Sequence, residues 1–152
     1  PMTARQMNQL RESVYLAGKQ RGYAFVTYVS SKATLFNNAI GENCFVLENN
    51  TIQPFTSIGN NVVLWSGNHI GHHGRIDDHV FFTSHVVMSG HCVIGSHSFL
   101  GVNSTIRDET TLARGTLLAM GACLTRSTDE DWGVYIGNPA QRREGPPSHR
   151  VL

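Results

Sequence analysis

The 152-residue chain is long enough for one domain with a real core: 40% of its residues are hydrophobic, 15% are charged and the formal net charge is +1. That balance excludes a polyelectrolyte surface for nucleic acid or anionic membrane, and no apolar run approaches the roughly 18 residues of a spanning helix. The N-terminus lacks a signal-peptide core, and Cys44, Cys92 and Cys123 form no CxxC and no even-numbered framework. A soluble cytoplasmic protein in a reducing compartment is the expectation.

In chain order, residues 4–21 read as a helix with Met7, Leu10, Val14 and Ala17 on its apolar face, stopped by Gly22. "YAFVTYV", 23–29, is a strand-like apolar run. From Ile40 a period of six then holds: Ile40, Val46, Ile52, Ile58, Leu64, Ile70 and so on to Leu124, fifteen apolar positions without an exception. Four residues after each stands a small or β-branched residue at thirteen of the fifteen steps, the exceptions being Asn50 and Asn68. Six is three strand periods, so the pattern is incompatible with one continuous helix and suits short strands between turns. Glycine follows the aliphatic at 41, 59, 71, 95 and 101. The C-terminal "GVYIGNPA", 133–140, reads as a short strand and turn, and "RREGPPSHRVL" as a loose tail.

This register resembles the hexapeptide repeat of the left-handed parallel β-helix, in which three hexads close one triangular coil of 18 residues. The fold class is then all-β: about five coils, roughly 24 Å tall at ~4.8 Å per coil, with an N-terminal helix–strand segment and a C-terminal cap. The handedness is implied by the resemblance, since periodicity alone does not fix it. Residues 18 apart stack, so columns can be read directly. His73, His79, His85, His91 and His97 share the fourth hexad position on outward turns, with His73 under His91 and His79 under His97. The plain reading is a solvated ladder; two imidazoles one strand spacing apart could share an ion, but the columns offer no third ligand. His72 is different, because its column neighbours Pro54 and Gly90 leave room for a ligand. A turn histidine without a role is the alternative. Cys44 and Cys92 are core by register, which argues against a cysteine nucleophile.

The stretch "NHIGHHGRIDDHVFFTSHVVMSGHCVIGSHSFLGVNSTI", followed by "DEDWGVYIGNPAQ", resembles bacterial sugar acyltransferases of the sialic-acid O-acetyltransferase-like family, over about residues 20–143. That family includes N-acetyltransferases of nucleotide-linked amino sugars. The resemblance implies an acetyl-CoA-dependent acetyltransferase acting on an amino or hydroxyl group of a nucleotide-activated sugar in bacterial glycan biosynthesis. Its catalytic base falls on His72, although the acidic residue that often follows the base is His73 here. Cofactor contacts are implied at Gly90, Val102 and Met120, and Arg142 and Arg143 are candidates for the CoA phosphates. A neutral-range histidine suits proton removal from the attacking group, and a backbone amide suits the oxyanion. No metal is expected; the γ-class carbonic anhydrases of related fold use an H-x-x-x-x-H pair, and no two histidines here are five apart. A formyl- or longer acyl-transferase, or a catalytically silent scaffold, are the alternatives.

The resemblance also divides the chain: 1–36 resembles the end of a truncated nucleotide-sugar-binding α/β domain, 37–129 is the β-helix and 130–152 the cap. A homotrimer is implied, and the outward column Phe45, Val63, Phe81, Phe99, Leu117 is its expected contact, because a monomer rarely leaves such a stripe in water. No nucleic acid and no membrane span are expected among the partners.

Overall fold

In the computed structural model, which describes residues 3–152, short parallel strands wind into a three-sided prism. The first face stacks Tyr28–Val29, Phe45–Val46, Val63–Leu64, Phe81–Phe82, Phe99–Leu100, Leu117–Leu118 and Val134–Ile136, and the antiparallel strand Gln141–Arg142 closes it. The second stacks Thr51–Ile52, His69–Ile70, Val87–Met88, Thr105–Ile106 and Cys123–Leu124, and the third Ser57–Ile58, Arg75–Ile76, Val93–Ile94 and Thr111–Leu112. Register partners are 18 residues apart through the body, as in Phe81 with Phe99 and Val87 with Thr105. Seven parallel rungs on the first face mark about six turns, one more than the repeat count predicts. The extra turn comes from residues 28–34, where Tyr28 pairs with Phe45 and Thr34 with Thr51 outside the hexad register.

Each hexad aliphatic points inward and is buried, Ile52 through Leu124 forming one continuous core. The two asparagine exceptions are also inside. Asn68 Nδ2 donates to Asn50 Oδ1 at 2.9 Å, Asn50 Nδ2 to the Trp65 carbonyl, and Val86 N to Asn68 Oδ1. Their polar atoms are thus satisfied by coil-to-coil bonds, which is what burial demands of an amide. Glycine after the aliphatic reflects close approach: a Cβ on Gly71 would come within 2.4 Å of the Ser89 backbone one coil on.

The fourth hexad position has a backbone reason. Asn37, Asn43, Asn49, Asn61, His73, His79, His85, His91, His97 and Asn103 all have φ between 55° and 64°, in the left-handed region. Asn and His are enriched among non-glycine residues there. The run of histidines is therefore first a solution to a turn.

The helix is shorter than its pattern, α1 spanning Gln9–Gln20, and it docks by another face. Arg11, Tyr15 and Gly18 are buried, whereas Leu10, Val14 and Leu16 are exposed. The reason is polar docking onto the first face. Asn8 Nδ2 donates to the His97 and Ser98 carbonyls, and Arg11 Nη2 to those of His79 and Val80, its guanidinium 5.5 Å from the Phe81 ring centre. Met7 is fully buried against Leu117, Val134 and Phe99. The N-terminal segment thus covers the column Phe45, Val63, Phe81, Phe99, Leu117, with Val63 at 0% and Phe81 at 6% exposure. That stripe is an intramolecular contact, and its assignment as the subunit interface is corrected.

Two smaller expectations also change. Only Tyr28–Val29 of the 23–29 run is a strand, and both residues are exposed. The tail is docked: Ser148 is fully buried, its amide on the Trp132 carbonyl and its hydroxyl on that of Gly115, and Leu152 O accepts from Gln6 N. No helix among the described residues is long and apolar enough to cross a membrane.

Candidate active site

The edge between the second and third faces carries His72 and Gly90. His72 is exposed, and its ring lies against the Gly90 backbone of the next coil: a Cβ on Gly90 would sit 2.8 Å from His72 Cε1 and 2.9 Å from Nε2. Glycine at 90 is what admits the imidazole. His72 Nδ1 lies 3.0 Å from His73 Nδ1, a hydrogen bond that requires one proton shared between the two rings. With Nδ1 so engaged, Nε2 is the nitrogen left to exchange a proton with a substrate. His73 is held in turn, stacked on His91 at 5.0 Å and packed against Phe55 at 4.6 Å.

Val102 and Met120 stand on a different edge, between the first and second faces, where they are exposed. The second face, with His69 and Val87 exposed outward, separates them from His72 within one chain. Arg142 does not extend freely: its Nε and Nη2 both reach Glu130 Oε2 at 3.1 Å, while Arg143 is exposed. The structure therefore joins His72 with Gly90 and keeps the other candidates apart from them.

The histidine ladder divides into two environments. His73, His85 and His91 are exposed as expected, but His79 and His97 are buried beneath α1, at 7% and 2% exposure. Glu12 bridges them, with Oε1 3.4 Å from His79 Nε2 and Oε2 3.0 Å from His97 Nε2. Asn61 Nδ2 lies 2.9 Å from His79 Nδ1. Burial pushes both imidazoles below the ordinary histidine range, more than Glu12 pulls them up. Burial likewise lowers Arg11 to about 10. Two groups of three possible ligands thus exist among the described residues, His72 with His73 and His91, and Glu12 with His79 and His97. Sequence columns missed both third members: His72 sits one position off the ladder, and Glu12 comes from a helix dozens of residues away. The largest enclosed cleft is elsewhere, about 200 Å³ between α1 and the first face, lined by Arg11, Val14, Tyr15, Phe25 and Phe45. His72 instead stands on an open edge.

Residues 39–72 match the family model described as bacterial transferase hexapeptide (six repeats). No curated protein matches the sequence significantly. Among solved structures, the chain is similar to a histidine-to-asparagine mutant of perosamine N-acetyltransferase from Caulobacter crescentus in complex with CoA and GDP-perosamine. The TM-score is 0.89 at 21% identity, covering 93% of this chain and 68% of that one. The acetyltransferase domain of PglB from Neisseria gonorrhoeae, in complex with acetyl coenzyme A, gives 0.87 at 21% identity, with 92% and 68% covered. A mutant of AntD, an N-acyltransferase from Bacillus cereus in complex with dTDP and coenzyme A, gives 0.72 at 16% identity, covering 88% and 91%. The chain carries the bacterial transferase hexapeptide repeat and has the left-handed parallel β-helix fold of these acyltransferases.

Proposed function

We propose that the chain transfers an acetyl group from acetyl-CoA to an amino or hydroxyl group of a nucleotide-activated sugar, with His72 as general base. The observation that carries this reading is the exposed His72 imidazole laid on the Gly90 backbone, on a fold whose solved examples hold CoA and nucleotide sugars. In the reaction, the substrate nitrogen or oxygen attacks the thioester carbonyl, and His72 Nε2 takes the proton it sheds. Negative charge gathers on the carbonyl oxygen, where a fixed backbone donor lowers the barrier; the Gly90 amide is the nearest to the base. Collapse of the tetrahedral species releases CoA as thiolate, which is protonated from His72 or solvent. His73 holds His72 Nδ1 in place of a carboxylate.

The acyl donor runs along the second face in this reading, with Val102 and Met120 on the far edge and Arg143 toward its phosphates. A trimer, as the resemblance implies, forms on the second and third faces, because the first is covered by α1. That arrangement sets Val102 and Met120 of one subunit near His72 of the next.

The test is acetyl transfer followed by CoA-thiol release against a panel of nucleotide amino sugars, with calorimetric titration of acetyl-CoA. His72→Ala should lose on the order of 100-fold or more in kcat, the usual worth of a positioned base, while keeping CoA affinity. Saturable acetyl-CoA binding with wild-type turnover in this variant ends the assignment of His72. Absence of any acetyl-CoA binding by the intact chain favours the scaffold.

A further inference from the structure

We propose that His72, His73 and His91 form a binding site for a divalent transition-metal ion of the Cu²⁺ or Ni²⁺ type, and that its occupation switches off His72 as a base. Metal binding rests on the geometry alone; its effect on catalysis rests on the acyltransferase reading above.

Three imidazoles from two adjacent coils converge here, each offering a nitrogen within 4.8 Å of the others. All three side chains are exposed, so the ion pays no burial penalty and has open access. The rings are already ordered: His72 is edge-on to both His73 and His91 at 5.1 Å, and His73 and His91 are stacked between backbone turns of fixed left-handed φ. Little side-chain entropy then remains to be lost on binding. The Nδ1–Nδ1 separation of 3.0 Å sets the bite. An ion about 2.05 Å from both nitrogens subtends an angle of about 94°. A near-right angle suits tetragonal Cu²⁺ or Ni²⁺ better than tetrahedral Zn²⁺, and imidazole donors rank Cu²⁺ first in any case. The buried group of Glu12, His79 and His97 meets the same distance criterion, but its Nε2 atoms already face the Glu12 carboxylate beneath α1.

The consequence for His72 follows from its tautomer. Without metal, one proton lies between the two Nδ1 atoms, and His72 acts as base through Nε2 only when it carries that proton itself. Coordination needs both Nδ1 lone pairs, so each ring must hold its proton on Nε2. His72 is then a donor where it has to be an acceptor. No net proton is released if both rings start neutral; the proton moves from one nitrogen of His72 to the other through water. Metal binding and base catalysis are therefore mutually exclusive on this residue.

The experiment is calorimetric titration of the full chain with CuCl₂ and NiCl₂, with electron paramagnetic resonance of the copper form. Wild type should bind one equivalent at this site with nitrogen coupling from imidazoles. His91→Asn keeps a residue suited to the left-handed turn and removes one ligand. It should weaken binding by at least about 10-fold, the loss that even outer-shell changes produce. His73→Asn should do the same. In parallel, acetyl transfer by the metal-free chain is measured with and without added copper. Wild type should be inhibited in step with occupancy, and His91→Asn should keep metal-free turnover while escaping inhibition over the same concentration range. One-equivalent copper binding that survives unchanged in both variants overturns the site. Inhibition that persists unchanged in His91→Asn overturns the switch. Absence of transfer by the metal-free wild type counts against the acyltransferase reading alone, and the calorimetric comparison still decides the metal site.

Discussion

Replacing Gly90 with alanine isolates the contact between the candidate base and the coil above it. The added methyl would lie 2.8 Å from His72 Cε1 and 2.9 Å from Nε2, whereas carbon atoms settle at about 3.5–4.0 Å. The imidazole must therefore retreat by roughly 1 Å, since the glycine backbone is fixed by its neighbours and the ring is the free end of an exposed side chain. Gly90 does not occupy the left-handed region, so alanine brings no backbone strain there. Stability should thus stay level or rise by about 0.4–1 kcal/mol, because alanine restricts the unfolded chain. A displacement of about 1 Å at a reacting group is enough to cost on the order of 100-fold in rate. The expected result is a near-unchanged thermal midpoint by circular dichroism together with kcat/KM down about 100-fold in a thiol-release assay. Wild-type turnover in a folded Gly90→Ala chain would refute the placement of the reacting centre at His72. A collapse in stability would instead show that Gly90 serves the coil rather than the site.

Three further outcomes follow from the packing. His79 and His97 sit below the ordinary histidine range through burial, facing Glu12, Asp78, Arg11 and Arg114, so the unfolded chain takes up protons that the folded chain refuses. Stability should hold above pH 7 and fall as pH drops through about 6.5, the unfolded histidine value; urea midpoints at pH 7 and 5.5 measure the slope, which a His79→Asn/His97→Asn double variant should flatten. Phe81→Ala removes a ring stacked on Phe99 and roofed by Arg11, and should cost about 3–5 kcal/mol in urea unfolding; a loss below about 1 kcal/mol would contradict the docking of α1 on the first face. His85 is exposed at φ 58°, so His85→Asn should be near neutral and His85→Val should lose on the order of 1–2 kcal/mol; equal stability of the two would remove the turn explanation of the ladder.

The sequence by itself determined the β-helix. Side-chain direction in a strand alternates with period two, so an unbroken six-residue register assigns inside and outside to every position from Ile40 to Leu124 without reference to anything distant. The stacking of His73 on His91 and the pairing of His72 with Gly90 were legible for the same reason, because 18 residues make one coil. The Asn, Gly and His at the fourth hexad position also carried a readable turn signal. What covers an outward face was beyond reach of the register, which says where a side chain points and not what it meets. The apolar column from Phe45 to Leu117 was correctly placed outside, yet only the fold showed that α1 closes over it. The helix pattern misled too, because Arg11 and Asn8 dock on carbonyl groups of the first face and leave Leu10 and Val14 in solvent. Glu12 reaches His79 and His97, and His72 its two neighbours, through contacts set by tertiary docking and ring orientation, which no spacing along the chain encodes.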